Sequence, residues 1–421
     1  MSKKAFYCGR SDTVLLQGFH WRSHEFDWYK ILTENAARIQ QLQIDTVWFP
    51  PPSAGADQQG YLPTEWYNLN SNYGTSEELK RAIAALRSGS RPVEAIADIV
   101  VNHRCGLDNW ADFRNPNFAP DGVTSPDEIR KANQKAVCVD DEWKHRGGKP
   151  AGAKDTGVGF DAGRDLDHTN PLVQEKIIRW LTWLQKEIGF AGWRWDMVTG
   201  YHPGYVGIYN DATGPVFSVA EFTDATSVGL LDWIGRSYGQ PDDAKGRPNR
   251  TGGKSTVFDF ATRAMLKKAL TEKDFSCLKT EDGKCAGLIG VWPAMAVTFA
   301  DNHDTEPANH DDPFPTETVQ QAYVYLLTHP GKPCVFWCHL FDWEPAYREV
   351  IEKLIILRRQ AALHSESIVD IIAAEKDLYA VTIDAKVAIK LGAGRWSPDG
   401  QGWSLYLEGQ DYAVWVQDNM A

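Results

Sequence analysis

A disulfide framework is missing from this sequence. Its seven cysteines (Cys8, Cys105, Cys138, Cys277, Cys285, Cys334 and Cys338) are an odd number spread through 421 residues, whereas stapled secreted scaffolds are short and carry regularly spaced, paired cysteines. No pair has CxxC spacing, and no Cys/His cluster has zinc spacing. No apolar run reaches the length of a membrane span. The start, Met1-Ser2-Lys3-Lys4-Ala5-Phe6-Tyr7-Cys8, has two lysines with no apolar stretch behind them. That predicts no signal peptide, so the chain is expected to be cytoplasmic as written or secreted with a leader removed. An excess of basic residues is also lacking. The net charge of −12 argues against nucleic acid or an anionic membrane as the main partner. Internal repeats and low-complexity segments are absent as well.

What is present is the composition of a soluble globular protein, 43% hydrophobic and 24% charged, at a length that exceeds one ordinary domain and suits a barrel with additions. There are 17 tryptophans. Flat aromatic rings pack on the apolar faces of pyranoses, but a large Trp-rich core yields the same count, so composition alone does not choose between them.

Strand-like and helix-like segments alternate. Strands are expected at residues 14–19, 46–50, 93–101, 192–198, 217–221, 256–260, 296–304 and 333–337. Helices are expected at 29–42, 76–86 with Ser76 as N-cap, 170–187, a segment after the fourth strand, 230–238, 263–270, 319–327 and 347–359. Eight alternations predict an α/β fold, a (β/α)8 TIM barrel. Residues 104–168 break the rhythm with much Gly, Asp, Pro and Asn, which reads as an irregular subdomain inserted between barrel parts 1–103 and 169–360. Short strand-like runs at 378–383, 387–391, 403–407 and 413–416, with turns at 384–386 and 392–402, predict a small C-terminal antiparallel β domain over 361–421.

The run Gly192-Trp193-Arg194-Trp195-Asp196-Met197-Val198 sets an Arg and an Asp in an apolar strand, which is costly unless each charge is paired or put to use. A structural ion pair alone would account for it. Two further runs also end in acids, however: Phe217-Ser218-Val219-Ala220-Glu221, and Ala296 onward to Asn302-His303-Asp304. The C-terminal ends of barrel strands are where catalytic groups gather, so Asp196, Glu221 and Asp304 point to a carboxylate cluster for glycoside chemistry. Retaining hydrolysis needs one ionised carboxylate as nucleophile and one protonated carboxyl as general acid, roughly 5 Å apart. Side-chain alternation puts Arg194 on the face of Asp196, where its charge would keep the acid ionised and aimed. The apolar Val219-Ala220 before Glu221 is expected to raise its pKa. Asp98, Asn102 and His103 form a fourth polar group at the end of the third strand. A lone His103 would be structural more often than not; its place beside three acids makes it a site candidate.

Four of these segments resemble, in order, the signature regions of the α-amylase family: Asp98-Ile99-Val100-Val101-Asn102-His103, Gly192-Trp193-Arg194-Trp195-Asp196, Val219-Ala220-Glu221 and Phe299-Ala300-Asp301-Asn302-His303-Asp304. Asp165-Leu166-Asp167-His168 resembles a fifth region. The chain is similar to plant-type members over nearly its full length, through Pro50-Pro51-Pro52-Ser53, Gln59-Gly60-Tyr61-Leu62-Pro63, Trp292-Pro293-Ala294, Leu327-Thr328-His329-Pro330-Gly331 and Asp411-Tyr412-Ala413-Val414-Trp415. The resemblance implies Asp196 as nucleophile, Glu221 as acid/base and Asp304 as the third acid. It implies His103, Arg194 and His303 at the cleaved sugar, Tyr61 stacked under its ring, and Trp292 as a further substrate contact. It also implies structural Ca²⁺ held by Asn102, Asp155, Asp165 and the Gly200 carbonyl, all oxygen donors as calcium prefers. By spacing alone Asp155 and Asp165 would be ordinary loop acids.

Departures from the plant-type pattern fall mainly on the acceptor side. Thr199 stands where a Lys is expected, Thr223 where a Trp is, and Val291-Trp292 where two tryptophans are. Gly159 replaces an Asp of the calcium cluster, and the acidic segment for a further ion is not evident. The expected activity is endo-acting, retaining hydrolysis of α-1,4-glucosidic bonds, by a monomer whose partners are starch and maltooligosaccharides rather than nucleic acid or membrane. Alternatives are a transglycosylase or exo-acting relative, and, in another class, a non-catalytic glucan-binding protein, which would be expected to lose one of the three acids.

Overall fold

Eight short, buried strands surround the centre of the fold. They are β1 (Leu15–Gln17), β2 (Thr46–Phe49), β3 (Glu94–Ile99), β4 (Gly192–Trp195), β5 (Phe217–Ala220), β6 (Thr256–Phe258), β7 (Ala296–Phe299) and β8 (Lys332–Phe336). Enclosed on both faces, they read as β-branched and aromatic runs rather than as an alternation. In the computed structural model, which describes residues 6–108, 110–235, 254–309 and 312–418, they close into a barrel in the order β1-β8-β7-β6-β5-β4-β3-β2. Every neighbouring pair is parallel. Most strands are shorter than their apolar runs, because the residues carrying the chemistry, Asp196, Glu221 and the stretch from Asp301 to Asp304, lie in the loops just past the strand ends.

The helices are α1 (Trp28–Gln41), α2 (Ser76–Arg87), α3 (Pro126–Lys135), α4 (Pro171–Trp183), α5 (Pro203–Thr213), α6 (Ser227–Ile234), α7 (Phe260–Glu272), α8 (Val319–Thr328) and α9 (Pro345–Gln360). Ser76 is the first residue of α2 and not its cap. Thr75 accepts the Glu78 N–H at 3.2 Å while Glu78 accepts the Thr75 N–H at 2.8 Å, a reciprocal box that satisfies two end donors. Asn170 does cap α4, accepting from the Leu172 N–H at 3.0 Å. For α6 the expected start at Leu230 falls one turn late, since Thr226 is the cap; the expected end at Tyr238 lies outside the described residues. No described helix is long and apolar enough to cross a membrane.

The excursion after β3 is less irregular than its composition suggests. Residues His103–Arg104 pair antiparallel with Arg164–Asp165, and α3 forms between them from a largely polar segment whose Pro126, Asp127 and Glu128 suit a helix start. Two buried arginines tie it down. Arg104 donates to the carbonyls of Thr64 (2.7 Å), Pro116 (2.6 Å) and Arg114, and Arg164 pairs with Asp141. Towards the C-terminus five antiparallel strands, β9 (Val369–Ala374), β10 (Tyr379–Ile383), β11 (Val387–Leu391), β12 (Trp403–Gly409) and β13 (Tyr412–Gln417), order as β9-β10-β11-β13-β12. The first was not expected: as a half-exposed edge strand it lacks the buried apolar signature of its neighbours.

Candidate active site

Arg194 is the hub of the catalytic rim. Its side chain is 1% exposed, lies 4.8 Å over the Trp48 ring, and meets three carboxylates. Nη1 donates to Asp98 Oδ1 at 2.8 Å and to Asp196 Oδ1 at 2.7 Å, and Nη2 reaches Glu221 Oε2 at 2.9 Å. The Asp196 contact is what alternation along β4 requires. One guanidinium therefore bridges Asp196 and Glu221 and ties the two carboxyls to one another. Met197, with φ +41°, turns the chain sharply after Asp196, and its N–H donates to Glu221 Oε2 at 2.9 Å. Left-handed backbone at a non-Gly residue is strained, and here it knits the ends of β4 and β5 together.

Burial is the main influence on the acids. It raises the pKa of Glu221, opposed chiefly by Arg194 and reinforced by Asp304. It raises Asp98 to about 6, again against Arg194. Asp196 is raised too, which corrects the expectation that Arg194 alone would hold it low: one positive charge is divided among three carboxylates and cannot neutralise them all. The cluster must retain protons. Both protein contacts of Glu221 fall on Oε2, so Oε1 is the atom placed to carry one.

Asp304, with a side chain 31% exposed against 9% for Asp196, is the most open of the three candidate acids. Asn309 donates to it at 3.0 Å, and Nε2 of His303 lies 3.5 Å away. A buried relay runs behind them. Gln17 donates to His303 Nδ1 at 2.9 Å, so Nε2 carries the proton and donates to the Tyr61 hydroxyl at 2.7 Å, which donates to Asp98 Oδ2 at 3.1 Å. Trp48 Nε1 also donates to Asp98, at 3.0 Å. The Tyr61 ring is nearly parallel to that of Trp21, 6.3 Å away at 10°, so a flat aromatic wall flanks the acids.

Tyr61, His103, Arg194 and His303 thus converge with the three acids. His103 sits deep: Nε2 donates to the Tyr61 carbonyl at 2.7 Å, Nδ1 accepts from Asn102 at 3.2 Å, and Phe160 stacks on the ring at 4.0 Å. Trp292 is not brought to the cluster. It precedes β7, at the opposite end of the barrel, and packs edge-on against Phe6 at 5.1 Å. Sequence reasoning missed Gln17, Trp48, Trp21 and Asn309. Gln17, a polar residue ending a buried strand, carried the same signal as Asp196.

A second cluster joins the excursion to the barrel. Asn102 donates to Asp165 Oδ1 at 3.3 Å, and its own Oδ1 is buried without a partner, as are Asp155 Oδ2 and Glu142 Oε2. Asp165 is raised to about 8 by burial, with Asp155, Asp141 and Glu142 adding to it. Oxygens of Asp141, Glu142 and Asp165 lie within 4.8 Å of one another. Backbone is drawn tightly here: a Cβ on Gly200 would stand 1.9 Å from Asn102 Oδ1, and one on Gly157 2.5 Å from the Gly200 carbonyl oxygen. These orphaned buried oxygens, beside acids of which Asp141 is paired with Arg164, form a donor set of the kind a hard cation takes. Beside Gly159, whose Cβ would lie 3.0 Å from Glu142 Oε1, the Glu142 carboxylate occupies the ground an Asp at that position would reach.

Known proteins resemble this chain in sequence and fold. The family model described as "Alpha amylase, catalytic domain" matches residues 29–213, and that described as "Alpha-amylase C-terminal beta-sheet domain" matches residues 360–416. The chain is 37% identical over 406 residues to "Probable alpha-amylase 2" of Arabidopsis thaliana, an alignment covering 96% of this chain and 93% of the relative. It is 38% identical over 419 residues to "Alpha-amylase 3, chloroplastic" of the same plant, covering 97% of this chain and 44% of the relative. Among solved structures, an α-amylase from Malbranchea cinnamomea shares the fold with a TM-score of 0.67 at 15% identity, over 97% of each chain.

Proposed function

The chain belongs to the α-amylase family, and on that premise we propose that Asp196 is its nucleophile, Glu221 its general acid and base, and Asp304 the acid that steadies the transition state. The protein is a glycoside hydrolase that cleaves α-1,4-glucosidic bonds within starch and related glucans with retention of configuration. The observation that carries the assignment of roles is the single Arg194 guanidinium shared by Asp196 and Glu221.

Asp196 is bound to Arg194 through Oδ1, which leaves Oδ2 to attack the anomeric carbon. As that bond forms, the proton on Glu221 Oε1 passes to the departing glycosidic oxygen. Glu221, now ionised, takes a proton from the incoming water, and the water oxygen releases the sugar from Asp196. Asp304 supplies negative charge opposite the oxocarbenium-like carbon, and the aromatic pair Tyr61 and Trp21 gives the pyranose an apolar platform.

We infer further that Asn102, Asp155, Asp165 and the Gly200 carbonyl hold a structural calcium ion, with Glu142 and Asp141 adding oxygens. Bound there, the ion neutralises the acid cluster and clamps the excursion to the ends of β3 and β4; the catalytic steps do not run through it.

Incubation with soluble starch and chromatography of early products tests the reading. Mixed maltooligosaccharides with a rapid loss of chain length are expected, and Asp196→Asn should abolish them while glucan binding persists. A single short product from the outset would favour exo-action, and binding without cleavage by the unaltered chain would favour a glucan-binding protein.

A further inference from the structure

Next to the catalytic rim, three loops gather a histidine, a carboxylate and a thiol. His20 follows β1, Glu306 stands two residues beyond Asp304 after β7, and Cys338 follows β8, on three strands that are neighbours in the barrel. One ligand atom from each lies within 4.8 Å of the other two, and Cys338 Sγ is 4.0 Å from Glu306 Oε2. All three are half-buried, so an ion could enter from solvent. His20 is steadied edge-on against Trp28 at 5.0 Å. Glu306 forms no salt bridge with a Lys or Arg among the described residues, and Arg22 acts on it only at longer range. Asp342, which accepts from Trp337 Nε1 at 3.2 Å, places a further carboxylate near the Cys338 thiol.

Thiolate plus imidazole plus carboxylate is a borderline-soft donor set. It favours zinc, and disfavours calcium and magnesium, which take oxygen ligands. Three protein ligands with an open fourth position is a common zinc arrangement. We propose that His20, Glu306 and Cys338 form a zinc-binding site on the catalytic face, and that zinc bound there inhibits the enzyme. The thiol proton is released to solvent on binding. Inhibition follows from what Glu306 already does. Its Oε1 accepts the Trp21 backbone N–H, and the Trp21 ring lies parallel to Tyr61 and, 6.3 Å away at 19°, to His303. Drawing Glu306 Oε2 onto a metal turns the carboxylate whose Oε1 anchors Trp21 and pulls on the loop that carries Asp304. Metal binding is independent of the proposed reaction; only the inhibitory consequence rests on it.

The full chain, in excess Ca²⁺ and without thiol reductant, would be titrated with Co²⁺ as an optical probe and Zn²⁺ as competitor. One Co²⁺ per chain is expected, with a thiolate-to-metal charge-transfer band that Zn²⁺ bleaches and that Cys338→Ser abolishes. His20→Ala and Glu306→Gln, each checked for an unchanged melting curve, should weaken zinc binding at least about tenfold. Zn²⁺ should slow starch cleavage by the unaltered enzyme but not by Cys338→Ser, whose zinc-free activity should be unchanged. Absence of saturable binding, or a band that survives in Cys338→Ser, would overturn the site. Saturating zinc without loss of turnover would overturn the inhibitory role.

Discussion

Replacing Arg194 with Gln would remove the guanidinium that Asp98, Asp196 and Glu221 share. Three carboxyls would then face one another in a buried site. Breaking a buried ion pair from one side costs about 3–5 kcal/mol. For a chain of 421 residues, an unfolding entropy of about 2.1 cal/mol/K per residue sums to roughly 0.9 kcal/mol/K, so the loss corresponds to about 3–6 °C in Tm. The loss should also depend on pH. Asp98 is raised to about 6 by burial even with Arg194 present. A carboxyl whose folded pKa is raised contributes stability that is complete below its unfolded value and is lost as pH rises through its folded value. Without the guanidinium those folded values climb further. The variant should therefore melt close to the unaltered protein near pH 4 and fall progressively behind it towards pH 8. Calorimetric scans across that range are the assay. A deficit that is constant with pH, or no deficit at all, would refute the view of Arg194 as the charge that makes this acid cluster tolerable.

Glu221→Gln should be nearly inactive on starch yet recover partly on substrates whose leaving group needs no proton; equal loss on both would argue against the acid/base role. Prolonged chelation should lower Tm, because an ion bound only by the folded state stabilises it by mass action, and proteolysis should strike the excursion first. Unchanged melting would mean that the cradle of Asn102, Asp155 and Asp165 is idle. Thr199 is half-buried with its carbonyl bonded to the Val158 N–H at 3.0 Å, and Thr223 is exposed, so neither offers an acceptor sugar a charge or a ring. Thr199→Lys with Thr223→Trp should lower the apparent KM for short maltooligosaccharides, by up to about 1–3 kcal/mol of binding, with less change on long starch. An unaltered ratio between short and long substrates would show that other groups already serve those positions.

The barrel, and the placing of Asp196, Glu221 and Asp304 just past its strand ends, were legible in the sequence because each rests on a local signal. Buried strands write themselves as short apolar runs, and an Asp or Glu ending such a run, as at Asp196 and Glu221, is too costly to be incidental. Strand β9 was missed because an edge strand need not be apolar on both faces, and α3 because its residues are nearly all polar. The cap of α2 was misplaced by one residue, since Thr75 and Ser76 are both capping types and only the bond to Glu78 distinguishes them. The relay Gln17–His303–Tyr61–Asp98 and the meeting of Asp141 and Glu142 with Asp165 join residues distant along the chain, so no spacing could reveal them. Raised Asp196 belongs with these: burial raises it first, and the carboxylates that share Arg194 add to that, which only the folded arrangement shows. Trp292 was placed at the substrate by the family resemblance, whereas its position before β7 puts it at the far end of the barrel, against Phe6.

The account rests on Asp196 and Glu221 acting as a retaining pair, and the anomeric form of the first product tests that most directly. Proton NMR of a maltooligosaccharide digest, recorded before mutarotation equilibrates the reducing ends, should show the newly formed ends as the α-anomer. Newly formed β-anomer would mean a single inversion, with water in place of Asp196 as the attacking group, and would contradict the mechanism drawn from this site.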